Sequence, residues 1–253
     1  MIGKERDMEK DRGSGSDAEK INSRSEPNTE EMNSASEPNA EKTNTESEPD
    51  NEEINTSGFD AIEEEFDRAG LCKINHYAAL IPWRLGGPDP LDGISIYDGG
   101  DYWHFVTFGL SELYDKESDD KEYSGYGMEF TLKLKKADYE DEEGEMRCVC
   151  SNLQNIAKVT FNNNELFLPY EYVYTGQTEG IDRYQKSELT GFITIPDPSV
   201  NTLSTPNGKV EFVEFIGVCD SELKAIMDGK ITVKELYGKI GSDVTDYSRK
   251  PTV

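Results

Sequence analysis

The stretch "GGPDPLDGISIYDGGDYWHFVTF", residues 86–108, decides the fold of this chain. Its glycine and proline residues predict a fixed turn over residues 86–90, because proline presets φ and glycine tolerates backbone angles that other residues avoid. The β-branched and aromatic residues that follow predict two strands, at residues 94–97 and 102–108. A sheet is therefore expected to extend outward from this segment.

Further strands are predicted downstream. Residues 127–135 alternate apolar and polar side chains, which is typical of a half-buried strand with one face in water. Residues 166–174 and 190–195 predict two more strands, and an Asn-Gly turn at residues 207–208 precedes a strand over residues 209–218. A strand with one wet face is typical of an antiparallel sheet.

An amphipathic helix is predicted near the start of the folded part. Phe59, Ile62 and Phe66 recur at spacings of three and four residues, so they share one face of a helix. Ser57 is expected to cap the first turn of this helix and Gly70 to end it. Its apolar face is expected to dock on the rest of the domain.

Three more helices complete the predicted fold. The first spans residues 152–161, and the second begins at Asp220, which we expect to be its cap. Thr232 and Glu235 form a capping box for the third, over residues 233–240. Strands and helices without strict alternation predict an α+β fold, with mixed or antiparallel sheets and flanking helices.

The first 57 residues predict a disordered acidic tail. They carry 7 Lys/Arg and 16 Asp/Glu, a net charge of −9, and no aromatic residue. Three units of 11 residues repeat along the tail, and each contains a proline that excludes a helix. The units are residues 20–30, 31–41 and 42–52, with Pro27, Pro38 and Pro49. We therefore expect two domains: a solvated spacer over residues 1–57 and a folded domain over residues 58–253.

Charge narrows the class of partner and the location of the chain. Residues 58–253 carry 19 Lys/Arg and 36 Asp/Glu, a net charge of −17, which argues against nucleic acid and anionic membranes as partners. The electrostatic field of such a negative charge favours a basic protein partner, although the charge also serves solubility. The first residues show no apolar signal region, and no apolar run is long enough to span a membrane, so a cytoplasmic protein is expected.

Cysteine usage predicts buried thiols rather than disulfides or a metal site. The four cysteines are Cys72, Cys148, Cys150 and Cys219. Cys148 and Cys150 lack the spacing of a zinc knuckle, and in a strand two such residues merely share a face. We expect neither a metal nor a cofactor.

Catalytic motifs are sparse. The two histidines, His76 and His104, are far apart in sequence, and no nucleophile elbow, phosphate-binding loop or His-x-x-x-His pattern occurs. The acidic run at residues 138–145 is interpreted as a solvated loop between strands. The alternative of a hydrolase or metal-dependent enzyme remains open, with His104, Asp98 and Asp101 as its candidate residues.

Aromatic residues offer the better candidate site. Six of them fall within residues 97–114, too many for one face of a strand, so some are expected at an interface. Trp103 and Phe105 are favoured for the core and Tyr114 for the surface. The candidate partner-binding residues are Tyr97, Trp103, His104, Glu112 and Tyr114.

Four long blocks carry a resemblance to a known family. They are "WRLGGPDPLDGISIY", "YWHFVTFGLSELY", "SGYGMEFTLKL" and "TPNGKVEFVEFIGV", at residues 83–97, 102–114, 124–134 and 205–218. In this order they resemble the suppressor-of-fused domain proteins, especially the bacterial members, and "VTDYSRK" resembles the closing block of that family. The resemblance covers about residues 58–253.

The resemblance implies a compact two-lobed α+β domain without enzymatic activity. In the animal relatives an extended peptide of a transcription factor is held between the lobes and pairs with strand edges. Tyr114 matches the tyrosine of that groove. The acidic residue expected before "SGYG" is replaced by Lys121, with Glu122 beside it. The animal ligand is therefore not expected to bind.

Three functions remain as hypotheses. The first is a non-catalytic, cytosolic protein-binding module that grips a partner polypeptide, in particular an immunity protein that neutralises a basic toxin domain, as proposed for bacterial members of the family. The second is the enzyme built on His104. The third is a scaffold that acts through its acidic tail. The oligomeric state is left open.

Overall fold

The computed structural model describes residues 55–81 and 83–253, except for the side chain of Arg84. The predicted tail therefore lies outside the described residues, apart from residues 55–57. Four helices and a short 3₁₀ helix at Trp83–Leu85 flank nine strands within the described part. The helices are α1 (Ser57–Arg68), α2 (Glu142–Asn163), α3 (Asp220–Met227) and α4 (Val233–Ile240). The strands are β1 (Cys72–Ala78), β2 (Gly93–Asp98), β3 (Tyr102–Phe108), β4 (Tyr123–Lys135), β5 (Tyr172–Val173), β6 (Leu189–Pro196), β7 (Leu203–Thr205), β8 (Gly208–Cys219) and β9 (Val244–Thr245).

The nine described strands form one mixed sheet. Its order is β1-β2-β3-β4-β8-β6-β5, with β7 beside β8 and β9 beside β4. The β4–β8 and β4–β9 pairs are parallel, while the other pairs are antiparallel. The predicted α+β class, with a mixed sheet and flanking helices, is confirmed. A single sheet runs through both halves of the domain.

Long helix α2 covers one face of the sheet. Because side chains alternate along a strand, β2, β3, β4 and β8 each direct every second residue toward this helix. The largest apolar cluster fills the space between them. It includes Ile94, Ile96, Trp103, Phe105, Phe130, Leu132, Val213 and Phe215 from the sheet and Met146, Val149, Leu153 and Ala157 from α2. The prediction that Trp103 and Phe105 belong to the core is confirmed.

The opposite face carries two separate apolar clusters. Helix α1 packs Ile62 and Phe66 on one, which includes Tyr97, Val106 and Phe212 of the sheet. Helices α3 and α4 cover the other, which includes Ile193, Ile195, Ile216 and Val218. On β8, Glu214 lies between Phe212 and Ile216 on the same face, so a polar residue separates the two clusters.

The expected wet face of β4 is correct only at its last residue, Lys135, which is exposed. Glu129, Thr131 and Lys133, which alternate with the apolar residues of this strand, are at most 1% exposed. The reason is that helices cover both faces of the sheet, a tertiary arrangement that alternation along one strand does not reveal. Polar side chains from distant segments supply the hydrogen bonds that water would otherwise provide.

A buried polar network centres on Lys133. Its ammonium donates to Asp197 at 3.1 Å, to Glu214 at 3.0 Å and to Asp243 at 2.7 Å. Burial by itself lowers the pKa of Lys133, but these three carboxylates raise it above the ordinary value. Burial and the nearby Asp197 raise the pKa of Glu214 well above its usual range. Burial opposes ionisation of Asp197, but its hydrogen bond with His104 and the charge of Lys133 lower its pKa well below the ordinary value, so Asp197 and Lys133 carry opposite charges.

Several local expectations need correction. The acidic run at residues 138–145 is not wholly a loop, because α2 begins at Glu142, where the carboxylate of Asp141 accepts the N–H of Gly144 at 2.9 Å. Cys148 and Cys150 consequently lie in this helix rather than in a strand, and they face different directions. Their thiols are free, as are those of Cys72, which is exposed, and Cys219, which is buried. The prediction of four buried thiols is therefore wrong for Cys72.

The ends of three elements also differ from the predictions. Thr56, not Ser57, is the N-cap residue of α1, and Cys219, not Asp220, is that of α3. The strand predicted over residues 166–174 is reduced to β5, because Tyr170 adopts a positive φ of 68°. The capping box of α4 is confirmed: Thr232 Oγ1 accepts the N–H of Glu235 at 3.2 Å, and Glu235 accepts that of Thr232 at 2.9 Å.

No helix within residues 55–81 and 83–253 combines the length and the apolar composition that crossing a membrane requires.

The Lys133 network gives a stability prediction with a matched control. We expect Lys133→Ala to lower the free energy of unfolding by about 3–5 kcal/mol, because it leaves buried carboxylates without their cation. Lys135→Ala, two residues along the same strand, removes a half-exposed ion pair with Asp246 and should lower the free energy of unfolding far less, because water screens that pair. Urea unfolding of both variants measures the difference. Equal losses would show that the network does not stabilise the fold.

Candidate functional site

The aromatic cleft is an open groove of about 270 Å³ beside the loop that joins β3 to β4. Trp83, Tyr114, Tyr126 and Phe161 line it. The ring centroid of Phe161 lies 5.8 Å from that of Trp83 and 5.2 Å from that of Tyr126, both in edge-to-face arrangements. Trp83 is 42% exposed. The cleft therefore presents aromatic surface to solvent, from a 3₁₀ helix, a loop, a strand and the end of α2.

Four acidic residues line the cleft together with the aromatic side chains. Asp92, Glu112, Asp115 and Glu117 all line the cleft. Lys116 balances one of them, because its ammonium donates to Glu112 at 2.9 Å. Such a lining is complementary to a polypeptide segment with both apolar and basic side chains.

Glu112 organises the loop at the edge of the cleft. One of its carboxylate oxygens accepts the N–H groups of Glu117 at 2.8 Å and Ser118 at 2.5 Å, and the other accepts that of Gly125 at 3.1 Å. Partial burial raises the pKa of Glu112, but these donors and Lys116 lower it to about 2. Glu112 was predicted to bind a partner, and in this conformation its acceptor capacity is used within the chain.

Tyr114 lies in the wall of the aromatic cleft and is half-buried. Its carbonyl oxygen accepts the side-chain amides of Asn55 at 3.1 Å and Asn207 at 2.7 Å. Asn207 belongs to the turn between β7 and β8, which the sequence predicts as a turn but does not connect with Tyr114. The structure brings Tyr114 and Glu112 together at one site.

The other three candidate residues lie in the core. Tyr97 is 1% exposed, Trp103 is 3% exposed and His104 is fully buried. Tyr97 stacks on Phe66 of α1 with ring centroids 4.7 Å apart, and Trp103 faces α2. In this conformation they cannot contact a partner, because α1 and α2 cover the two faces of the strands that carry them. The sequence instead missed Trp83, Tyr126 and Phe161, which belong to separate elements.

The structure does not bring His104 and Asp98, two candidate residues of the enzyme alternative, together in an accessible site. His104 Nε2 lies 2.7 Å from Asp197 Oδ2, and burial lowers the pKa of the ring although Asp197 opposes this effect. Asp98, predicted to assist His104, instead accepts the ammonium of Lys136 at 2.6 Å. With no solvent exposure, the His104 ring cannot reach a substrate in this conformation. Within the described residues, no three His, Cys, Asp or Glu side chains are grouped to hold a metal ion.

A buried carboxylate, Glu129, accepts hydrogen bonds from residues that line the cleft. It accepts the hydroxyl of Thr107 at 2.6 Å, the hydroxyl and N–H of Ser111 at 2.7 and 2.9 Å, and the N–H of Gly109 at 3.0 Å. Burial raises the pKa of Glu129 to about 7, and these four hydrogen bonds offset the effect only in part. Because Gly109 and Ser111 line the cleft, Glu129 fixes the position of its floor.

The raised pKa of Glu129 predicts a pH-dependent stability. From the ordinary value of 4.5 up to about 7, the folded state holds a proton that the unfolded state has released, so stability falls as pH rises through this window. The loss is on the order of 3 kcal/mol and is complete above about pH 7. In Glu129→Gln the part of this dependence that Glu129 contributes should be absent, whereas Glu117→Gln, at an exposed position, should retain it. Glu214 and Glu145, whose pKa values burial also raises, continue to contribute in both variants. Unfolding in denaturant between pH 4.5 and 7.5 tests this, and parallel pH curves for wild type and Glu129→Gln would refute it.

Comparisons with known proteins agree with this architecture. Residues 87–250 match the family model for suppressor of fused protein. The suppressor of fused homologues of Homo sapiens and Mus musculus are each 29% identical over 161 residues, which is 57% of this chain and 32% of the relative. The matched region is thus about a third of the length of these curated relatives.

Solved structures show the same fold. The crystal structure of the Sufu-Fu complex superposes with a TM-score of 0.65 at 23% identity, covering 78% of this chain and 93% of that one. Drosophila Suppressor of Fused gives a TM-score of 0.65 at 22% identity and covers 78% of this chain and 52% of that one. The family model spans well over half of the residues, in the order that the four sequence blocks predicted, and the chain therefore belongs to the suppressor of fused protein family.

Proposed function

We propose that this chain is a non-catalytic binding module that binds a segment of a partner polypeptide in the aromatic cleft. We further propose that the partner is a basic toxin domain, which the chain neutralises in the cytoplasm. The observation that carries the proposal is the cleft itself, which four aromatic side chains and four acidic residues line together. Proteins of this family act by binding other proteins, and one of the similar structures is a complex of Sufu with Fu.

The shape of the surface supports an extended partner. Apolar side chains continue from Trp83 along the neighbouring segment, where Leu80 is 98%, Ile81 49% and Leu85 71% exposed. Strand β1, which leads into this segment, pairs with β2 on one side, and within the described residues no strand pairs with its other side. A partner segment in the cleft could therefore also contact exposed apolar side chains and an open strand edge, as in β-strand addition.

Charge supports a basic partner. Residues 58–253 carry a net charge of −17, and four of these carboxylates line the cleft. Complementary charge accelerates encounter and disfavours acidic competitors more than it adds affinity. The physical expectation is an association rate that falls steeply as salt is added, with a dissociation rate governed by the aromatic contacts.

Trp83→Ala tests the cleft directly. The probe is a purified basic toxin domain encoded in the reading frame adjacent to that of this chain, titrated calorimetrically into the full-length protein. Trp83→Ala should weaken binding by about 30-fold, the effect of losing an aromatic hot spot of about 2 kcal/mol. Met227→Ala is the matched control, because Met227 is 48% exposed and lies on α3, away from the cleft.

The results separate the two parts of the proposal. Tight binding that Trp83→Ala and Met227→Ala affect equally would refute the cleft as the binding site. No binding of the adjacent basic domain, or binding that leaves its toxicity unchanged, would refute the immunity role.

A truncation tests the acidic tail. A chain that begins at Asn55 keeps the contact between Asn55 and Tyr114 and removes a net charge of −9. If the tail is a spacer, this chain should bind the same toxin domain within about twofold at 150 mM salt, where charges separated by more than about 8 Å are screened. A loss of binding on truncation would favour the scaffold hypothesis. Surface plasmon resonance over a salt series separates the two association rates.

A further inference from the structure

The tail joins the folded domain at the wall of the aromatic cleft. The side-chain amide of Asn55 donates to the carbonyl oxygen of Tyr114 and to Asp115 Oδ1, both at 3.1 Å. Tyr114 and Asp115 both line the cleft. The side-chain oxygen of Asn55 accepts the N–H of Ser57 at 3.1 Å, where α1 begins. The residues that precede Asn55 therefore start beside the cleft.

Asn55 belongs to a fourth copy of the tail repeat. This copy covers residues 53–57, "EINTS", after which the repeat gives way to α1. The corresponding stretches of the three complete units are "KINSR", "EMNSA" and "KTNTE", at residues 20–24, 31–35 and 42–46. All four have asparagine in the third position, followed by serine or threonine. In the fourth copy, this asparagine contacts the wall of the cleft.

The first unit differs from the others in charge. Lys20 and Arg24 give its stretch a net charge of +2, whereas the corresponding stretches of the second and third units carry −1 and 0. Within residues 1–57, no other two basic residues follow each other without an acidic residue between them. Ile21 places an apolar side chain between the two charges. Residues 20–24 thus combine apolar and basic side chains.

The lining of the cleft is complementary to this stretch. Four aromatic side chains and four acidic residues line the cleft, and none of the described residues of the lining is a lysine or an arginine. Apolar side chains and guanidinium groups both pack favourably on aromatic rings. Glu112 makes its hydrogen bonds within the chain, but its pKa of about 2 keeps it negatively charged. Attraction between opposite charges does not require a free acceptor atom.

The tail is long enough to bring the first unit back to the cleft. Arg24 precedes Asn55 by 31 residues. A solvated chain of this length, which the composition of the tail predicts, has an end-to-end distance of about 30 Å. Because one end is fixed beside the cleft, residues 20–24 are present there at a local concentration on the order of millimolar. A contact of low affinity is then populated.

We propose that residues 20–24 occupy the aromatic cleft of the same chain, with Ile21 against the aromatic side chains and Lys20 and Arg24 near the acidic residues. A partner that enters the cleft must displace this segment. If its dissociation constant is also on the order of millimolar, the segment fills about half of the clefts and weakens partner binding about twofold. The inference rests on the cleft as the binding surface of the proposed function, and not on the identity of the partner.

The test uses amide and indole NMR signals of the full-length protein. Lys20→Glu combined with Arg24→Ala removes both positive charges of the first unit, so the cleft should lose its occupant. The amide signals of residues 109–117 and the indole signal of Trp83 should then shift relative to the wild type. Both substitutions lie in the predicted tail, so they leave the folded domain unchanged.

Lys4→Glu combined with Arg12→Ala is the matched control. It makes the same change of net charge, with the same residue types, elsewhere in the tail. It should leave the signals of the cleft in place. Equal shifts in the two double variants, or no shift in either, would overturn the proposal. Shifts that depend on protein concentration would also contradict it, because they would indicate the tail of a second copy as the occupant.

A peptide can supply the segment from outside the chain. A blocked peptide of residues 18–26, added to the variant with Lys20→Glu and Arg24→Ala, should move the cleft signals back through their wild-type positions. Saturation should require millimolar peptide, and the wild-type shift should be about half of the shift at saturation. A peptide of residues 29–37, which contains the second unit, should bind about fivefold more weakly or less, because its charge has the wrong sign.

Equal binding of the two peptides, or no saturable binding of the first, would refute occupancy of the cleft by residues 20–24. No toxin domain enters these measurements. Their failure would therefore leave the proposed function to be decided by the Trp83→Ala titration.

Discussion

The buried ammonium of Lys133 is the interaction on which the arrangement of this domain depends. It joins Asp197, which follows β6, to Glu214 of β8 and Asp243, which precedes β9. These contacts span 64 to 110 residues of sequence. They lie between the apolar cluster under α1 and the one under α3 and α4. The ammonium of Lys133 reaches its acceptors in one register of β4 against β8. The network therefore constrains how these two strands pair, in addition to stabilising the fold.

Strand β4 is the central strand that connects the aromatic cleft to the buried polar network. Its first residues reach the aromatic cleft, and its middle residues include Glu129 and Lys133. Glu129 fixes the floor of the cleft by accepting hydrogen bonds from Gly109 and Ser111. A strand held on both faces is a rigid support, and binding sites on such supports keep their geometry. The loops around the cleft contribute the side chains that line it, and the strand holds those loops in place.

The acidic residues of the folded domain fall into two groups, buried and exposed. Eight carboxylates of residues 58–253 are buried, among them Glu65, Glu129, Glu214 and Glu222, so they do not belong to the surface field. Glu222, for example, accepts two hydrogen bonds from Arg249 at 2.7 Å and one from the N–H of Thr252 at 2.9 Å, which ties the last residues to α3. Carboxylates in this fold therefore replace water as acceptors for loops and chain ends. In the proposed function, the remaining surface carboxylates are the ones that steer a basic partner.

The sequence by itself determined the class of fold, the family, the strands at residues 94–97 and 102–108, and the capping box of Thr232 and Glu235, because these depend on local propensity and on long blocks of residues. It also indicated that Tyr114 lies outside the core, and the structure places this residue, half-buried, in the wall of the aromatic cleft. Only the tertiary structure decided that Lys133 and Glu129 are buried, since alternation along a strand does not show whether a helix covers its polar face. The same limit applies to the aromatic cleft: Trp83, Tyr126 and Phe161 lie on three different elements, and no spacing along the chain encodes their contact.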